Sequence, residues 1–209
     1  MSGNSLNTYE KILSCAVSLF DEKGYSETSI SDIYQAADAA RSTFYKYFSG
    51  KEELCYHLYS RERVYDAKTI LWITQGSIPS ERVVRAHLCY LRYPSPKCAA
   101  EVHRARLQFL LTTPEASLSM QDQSPHEFIL PFVEQAKAAG ELLSESCEEA
   151  VNMVNIFQYG LDLTNYTVSE QMTNYAVLLE QAMRKIYCFR EHIPVLDIIC
   201  SILTDIRSA

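Results

Sequence analysis

The chain has 209 residues, 47% of them hydrophobic, and a net charge of −7 from 19 basic and 26 acidic residues. That composition supplies a sizeable core, argues against disorder, and argues against a strongly basic, non-specific polyanion binder. No apolar run approaches the roughly 18 residues needed to cross a bilayer, and no basic stretch followed by an apolar one opens the chain, so a cytoplasmic protein without membrane contact is expected.

Periodicity is helical almost throughout. In the first helix Ile12, Cys15, Ala16, Leu19 and Phe20 form one apolar stripe, Lys23 suits the last turn, and Gly24 suits the left-handed stop position. Ser29 is placed to cap a second helix with Asp32 three residues on, and Ile30, Ile33 and Ala37 point inward. After a break at 38–40 comes a short helix with Phe44 and Phe48 on one face. Ser49-x-x-Glu52 has capping-box form and predicts a helix running through Leu54, Leu58, Val64 and Leu71 to about Trp72. "TQGSIPS" is the clearest linker. Further helices are expected at about 80–92, 97–111, 124–139, 147–167, 170–189 and 195–207. Their start signals are Ser124-Pro125-His126-Glu127, Ser146-x-x-Glu149 and Pro194, with Gly140 as a stop. No alternating run makes a convincing strand, so the fold class is all-α.

Helix, helix, three-residue break and short helix is the layout of a helix-turn-helix, whose last helix presents its outer side to a major groove. The segment "AVSLFDEKGYSETSISDIYQAADAARSTFYKYFSGKEEL" resembles the DNA-binding domain of the tetracycline-repressor (TetR) family, within a match that covers roughly residues 11–54. The similarity runs through the Gly-Tyr turn, the Thr-Ser-Ile and Asp-Ile helix, the Thr-Phe-Tyr-x-x-Phe helix and the Lys-Glu-Glu-Leu start. It implies a helix-turn-helix domain at 1–54, an effector-binding and dimerising helical domain at 55–209, and a homodimeric transcription regulator bound to double-stranded operator DNA. A repressor released by a small-molecule effector is the expected form, and no cofactor is implied.

Residue chemistry fits that expectation. Arg41, Ser42 and Thr43 open the third helix, where Arg pairs with guanine and a Thr methyl meets thymine. Tyr45, Lys46, Tyr47 and Lys51 offer OH and NH₃⁺ groups to phosphates. The resemblance assigns all seven to operator contact, and Ser29 and Ser31 at the start of the second helix offer a phosphate clamp. Phe44 and Phe48 read as core, and Tyr47 suits either phosphate contact or packing on the first helix. Two positions depart from the family pattern. Asp38 stands where Gly is usual, and Asp tolerates the left-handed region; Ala40 replaces the usual Ser or Thr cap, a loss of about 1 kcal/mol. Residues 1–60 carry five basic against eight acidic residues, so DNA contact must rest on a local cluster.

In the larger part, the 147–167 helix is apolar nearly all round. Val151, Val154, Phe157 and Leu161 make one stripe, thickened by Met153, Ile156, Tyr159 and Leu163, so it must be buried on two sides. A second stripe holds Met172, Tyr175, Leu179, Ala182, Met183 and Ile186. A dimer four-helix bundle through Val151, Val154, Leu161, Met172, Tyr175, Leu179, Met183 and Ile186 is expected, with a plain intrachain core as the other reading. Candidate pocket residues are Trp72, His87, Tyr90, His103, Phe109, Phe128, Asn155, Tyr159 and Asp162. Residues 82–106 hold Arg82, Arg85, Arg92, Lys97, Arg104 and Arg106 against Glu101, with Glu81 just before them, a surplus that suits either an anionic effector or a solvated helix face.

The seven cysteines are scattered without a CxxC pair, which argues against a disulfide framework and a Cys-rich metal site. None of the five histidines sits in HExxH, GxSxG or a Cys/His pair, and no phosphate-loop motif occurs, so an enzyme is not expected. A family-like fold serving as a protein-interaction module with weak or no DNA binding is the alternative.

Overall fold

A computed structural model describes residues 3–59, 66–92, 98–113, 126–165 and 172–208. Its helices are α1 (Gly3–Lys23), α2 (Ile30–Ala36), α3 (Arg41–Tyr47), α4 (Lys51–Leu58), α5 (Ala67–Thr74), α6 (Pro79–Leu88), a 3₁₀ turn (Cys89–Arg92), α7 (Ala99–Thr112), α8 (His126–Ala138), α9 (Cys147–Asn165), α10 (Met172–Tyr187) and α11 (Val195–Ser208). The protein is all-α; among the described residues the only extended pairing is an isolated antiparallel bridge between Leu142 and Phe189. No helix in the described residues is long and apolar enough to cross a membrane.

Punctuation residues act as their chemistry dictates. Gly24 and Gly140 take φ of +87° and +74° at the ends of α1 and α8, a conformation open to glycine without a Cβ clash. Ser29 and Asp32 form the expected capping box on α2, and Ser146 Oγ accepts the Glu149 N–H at 3.2 Å. The Ser49-x-x-Glu52 box does not form. Gly50 is the cap residue of α4, and Glu53, one residue further on, takes the Ser49 N–H at 2.5 Å. The single helix expected from 50 to 72 is interrupted: Asp66 is extended and caps a fresh helix through the Thr69 N–H at 2.7 Å. Asp66-x-x-Thr69 was therefore a start signal inside a pattern that apolar spacing alone read as continuous. The Ser124 and Pro125 signals lie outside the described residues.

α1, α2 and α3 enclose Ile12, Leu13, Ala16, Phe20, Ile33, Ala37, Phe44 and Phe48, all essentially without solvent exposure. Burying a residue such as Phe contributes about 1.5–3 kcal/mol, so Phe44 and Phe48 fix α3 by the face opposite its polar side chains. The core is continuous from Ile12 into the larger helical part as far as Leu203. The residue-54 boundary falls inside α4, which packs along α7. α6, α8, α9, α10 and α11 complete the larger part, with α9 against α8 and α10.

Candidate functional sites

The first candidate site is the outer face of α3. The turn before it is closed by a Schellman motif: Ala39 N–H bonds Tyr34 O at 2.8 Å and Asp38 N–H bonds Gln35 O at 3.0 Å. Asp38 occupies the left-handed position with φ +52°, so the turn keeps its form without glycine. Ala40 caps α3 without a side-chain hydrogen bond. Arg41, Ser42, Tyr45 and Lys46 are exposed, with the Arg41 guanidinium over the Tyr45 ring at 5.5 Å. Thr43 is half-buried. Tyr47 is half-buried too, edge-on to Tyr9 of α1 at 5.7 Å.

Three other candidates are already engaged. Ser29 Oγ serves the α2 cap and lies 2.8 Å from Ser31 Oγ, while the Ser29 N–H and hydroxyl hold the Asp32 carboxyl below its usual range. Lys51 Nζ donates to Tyr25 O at 2.7 Å and Thr28 O at 2.8 Å and sits over the Tyr25 ring at 4.0 Å. That ammonium fastens the α1–α2 loop to α4. Tyr25 is held from the other side as well: its N–H bonds Glu101 of α7 at 3.1 Å and its hydroxyl bonds Glu52 at 3.2 Å.

The second candidate site lies inside the larger part. Asp162, fully buried on α9, receives the Tyr90 hydroxyl at 2.6 Å, the Tyr175 hydroxyl at 3.0 Å and His103 Nε2 at 3.1 Å. A carboxylate accepts only, so His103 carries its proton on Nε2. Gln158 Nε2 donates to Tyr90 Oη at 3.1 Å and to His87 O at 3.0 Å, and His87 Nε2 lies 2.6 Å from the Tyr187 hydroxyl. Burial lowers the His87 pKa to about 3 and lowers that of His103 too, against the opposing pull of Asp162, so both rings are neutral. Burial likewise raises the Tyr175 phenol.

Arg106 borders this cluster, one helical turn from His103. It is 4% exposed, lies 5.4 Å from the Tyr59 ring centre, and its charge pulls the Tyr159 phenol down against the upward push of burial. Its Nε is buried without a hydrogen-bond acceptor. Leaving a buried donor unmade costs about 1–3 kcal/mol, and more for a charged group.

Of the sequence-level pocket candidates, His87, Tyr90, His103, Asn155, Tyr159 and Asp162 come together. Phe109 adjoins them beside Tyr56 at 5.4 Å. Trp72 stands apart, between the Arg85 and Arg92 guanidiniums at 4.9 and 4.5 Å, and Phe128 packs on Phe132 along α8. Sequence reasoning missed Gln158, Tyr187 and the inward role of Arg106. Gln158 had a signal: Asn155, Gln158, Tyr159 and Asp162 repeat at helical spacing, a polar stripe on an apolar helix.

The residues expected to pair two copies lie differently. Val151, Val154, Leu161, Leu179 and Met183 are buried within the chain, Ile186 is half-buried, and Tyr175 turns inward to Asp162. The Met172 side chain lies outside those described. The opposite stripe of α9 is the open one: Met153 is 56% exposed, Ile156 72% and Phe157 37%, with Leu178 of α10 at 39%. Among the described residues no group of His, Cys, Asp or Glu is arranged to hold a metal ion.

Residues 12–57 match the family model described as bacterial regulatory proteins, tetR family. The chain is 52% identical over 46 residues to the uncharacterised HTH-type transcriptional regulator YvdT of Bacillus subtilis, covering 22% of this chain and 24% of that one. It is 44% identical over 52 residues to an uncharacterised HTH-type regulator of Lactococcus lactis, covering 25% and 26%. The match thus spans about a quarter of the length of these curated relatives. Among solved structures, RolR in complex with resorcinol superposes with a TM-score of 0.64 at 14% identity over 95% of this chain and 96% of that one. Thermus thermophilus FadR, a TetR-family repressor in complex with lauroyl-CoA, gives 0.61 at 19% identity over 89% and 97%. At such identities the likeness establishes a shared fold.

Proposed function

We propose that this chain, which belongs to the tetracycline-repressor family, is a sequence-specific DNA-binding regulator that represses until a small molecule enters its larger part. The observation that carries this reading is the outer face of α3, where Arg41, Ser42, Tyr45 and Lys46 stand exposed while Phe44 and Phe48 anchor the helix. Arg41 reads a base, Ser42 and Thr43 flank it, and Tyr45 and Lys46 hold phosphates. Ser29, Ser31 and Tyr47 add phosphate contacts from hydroxyl groups. Lys51 acts from behind it, by holding the α1–α2 loop. Selection from a random-duplex pool tests the reading: wild-type protein enriches one palindromic site, and Arg41→Ala loses about 1–3 kcal/mol there and relaxes one base position. A folded protein that enriches nothing at low salt sinks the reading and favours a protein-interaction module.

The effector site is the buried cluster around Asp162, His103, Tyr90 and Arg106. FadR and RolR, which share the fold, are solved with small molecules bound. α7 connects the two sites, since it carries His103 and Arg106 into the cluster and Glu101 to the α1–α2 loop. An effector that favours one placement of α7 then biases the DNA-competent state. The dimer forms through the exposed α9 and α10 stripe of Met153, Ile156, Phe157 and Leu178.

A further inference from the structure

The six basic residues between 82 and 106 separate once their surroundings are considered. Arg82 Nε bonds Gly76 O at 3.0 Å, Arg85 pairs with Glu81 at 2.8 Å, and Arg92 lies over the Trp72 ring. Lys97 lies outside the described residues, and Arg104 is half-buried. Arg106 alone among the described ones is buried, at 4% exposure; its Nε meets no acceptor, and among the described residues no carboxylate pairs with it. Asp162, the acidic side chain the described residues bring to the cluster, is taken up by two phenols and His103. A largely buried guanidinium without an ion pair is a poor structural element, because its desolvation is only partly offset. It is a good receptor for an anion that arrives from outside, since a guanidinium offers its donors in a fork matched to a carboxylate. Its neighbours Tyr59, Tyr159 and His103 are rings, and Phe109 adjoins them.

We propose that the effector is a small organic carboxylate, its acid group held by Arg106 and its body lying among these rings. The inference rests on the effector reading above and names the ligand's chemical class. Benzoate is the probe and benzamide its uncharged match, and the readout is the Nε–Hε NMR signal of Arg106, assigned by its loss in Arg106→Lys. Benzoate is expected to shift that signal and raise the melting temperature, and benzamide to do neither. Arg106→Met, which removes the unpaired charge, is expected to melt no lower than wild type and to lose the benzoate response. A benzoate titration that leaves the signal in place, an equal response to benzamide, or an Arg106→Met protein that melts well below wild type overturns the proposal. Duplex binding is measured on the same samples. Release of DNA by an uncharged compound alone would overturn the carboxylate assignment and leave the regulator reading standing; benzoate binding without any selected duplex would do the reverse.

Discussion

The Glu101 carboxylate accepts the backbone N–H of Tyr25 at 3.1 Å, across 76 positions of sequence. Glu101 opens α7, whose next turns place His103 against Asp162 and Arg106 beside Tyr159. Tyr25 sits in the loop that leads into α2, and Lys51 and Glu52 of α4 hold the same residue. One helix therefore touches both the buried polar cluster and the loop that sets the helix-turn-helix. A hydrogen bond to a charged group contributes about 1.5–3 kcal/mol, and less where water competes. Glu101→Ala is expected to leave operator affinity within a few fold and to shrink the effector-driven change in affinity by about 1 kcal/mol, roughly five-fold. Fluorescence anisotropy on labelled operator, with and without effector, measures both. An unchanged ratio would remove α7 from the coupling.

Lys46 and Lys51 separate by role. Lys46 is exposed, whereas Lys51 satisfies two backbone carbonyls and lies on a tyrosine ring. Lys46→Ala is expected to weaken binding equally on all duplexes and to lower the salt slope by about 1, with stability changed by under about 0.5 kcal/mol. Lys51→Met is expected to destabilise the protein by about 1.5–3 kcal/mol and to raise amide exchange in the α1–α2 loop. Urea melts and salt-dependent binding isotherms distinguish the two.

The two sides of α9 give opposite results under mutation. Ile156 is 72% exposed, while Val154 on the same helix and Leu179 on α10 are buried. Ile156→Glu is expected to turn a dimer into a folded monomer by sedimentation velocity, with the helical signal intact. Leu179→Ala is expected to cost about 2–5 kcal/mol through cavity formation. A dimer that survives Ile156→Glu together with Phe157→Glu places the interface elsewhere.

Acid is expected to destabilise the fold through its buried histidines. His87 titrates near 6.5 when unfolded and is lowered to about 3 by burial, and His103 is lowered in the same direction. The unfolded chain therefore binds protons that the folded one refuses, so the contribution is intact above about pH 6.5 and is lost as pH falls toward 3. Each such group steepens the fall by up to about 1.4 kcal/mol per pH unit in that window. Melts between neutral and mildly acidic pH test it, with His87→Gln expected to flatten the slope relative to wild type.

Much of the N-terminal site was legible in the sequence because its signals are local. A cap needs residues three apart, a helical stripe needs them three or four apart, and Asp38 was the expected left-handed residue because few side chains tolerate that turn. The same locality failed at Ser49, where Glu53 rather than Glu52 closes the helix start, and at Asp66, where a cap interrupts an apolar pattern that continues past it.

The sequence by itself determined the all-α class, the helix-turn-helix segment, and that the helix read at 147–167 is apolar on too many sides to have one neighbour. Periodicity cannot say which of its faces meets the chain's own core and which is left for a partner. Only the tertiary structure decided that Val151, Val154 and Leu161 are covered and Ile156 is open, that Tyr175 turns to Asp162, and that Lys51 serves the fold. It also decided which of the five described cations between 82 and 106 goes inward. Burial of a charge is a property of everything packed around it, and Arg106 differs from Arg82 or Arg85 in its neighbours across the fold, with nothing in its own stretch of chain to mark it.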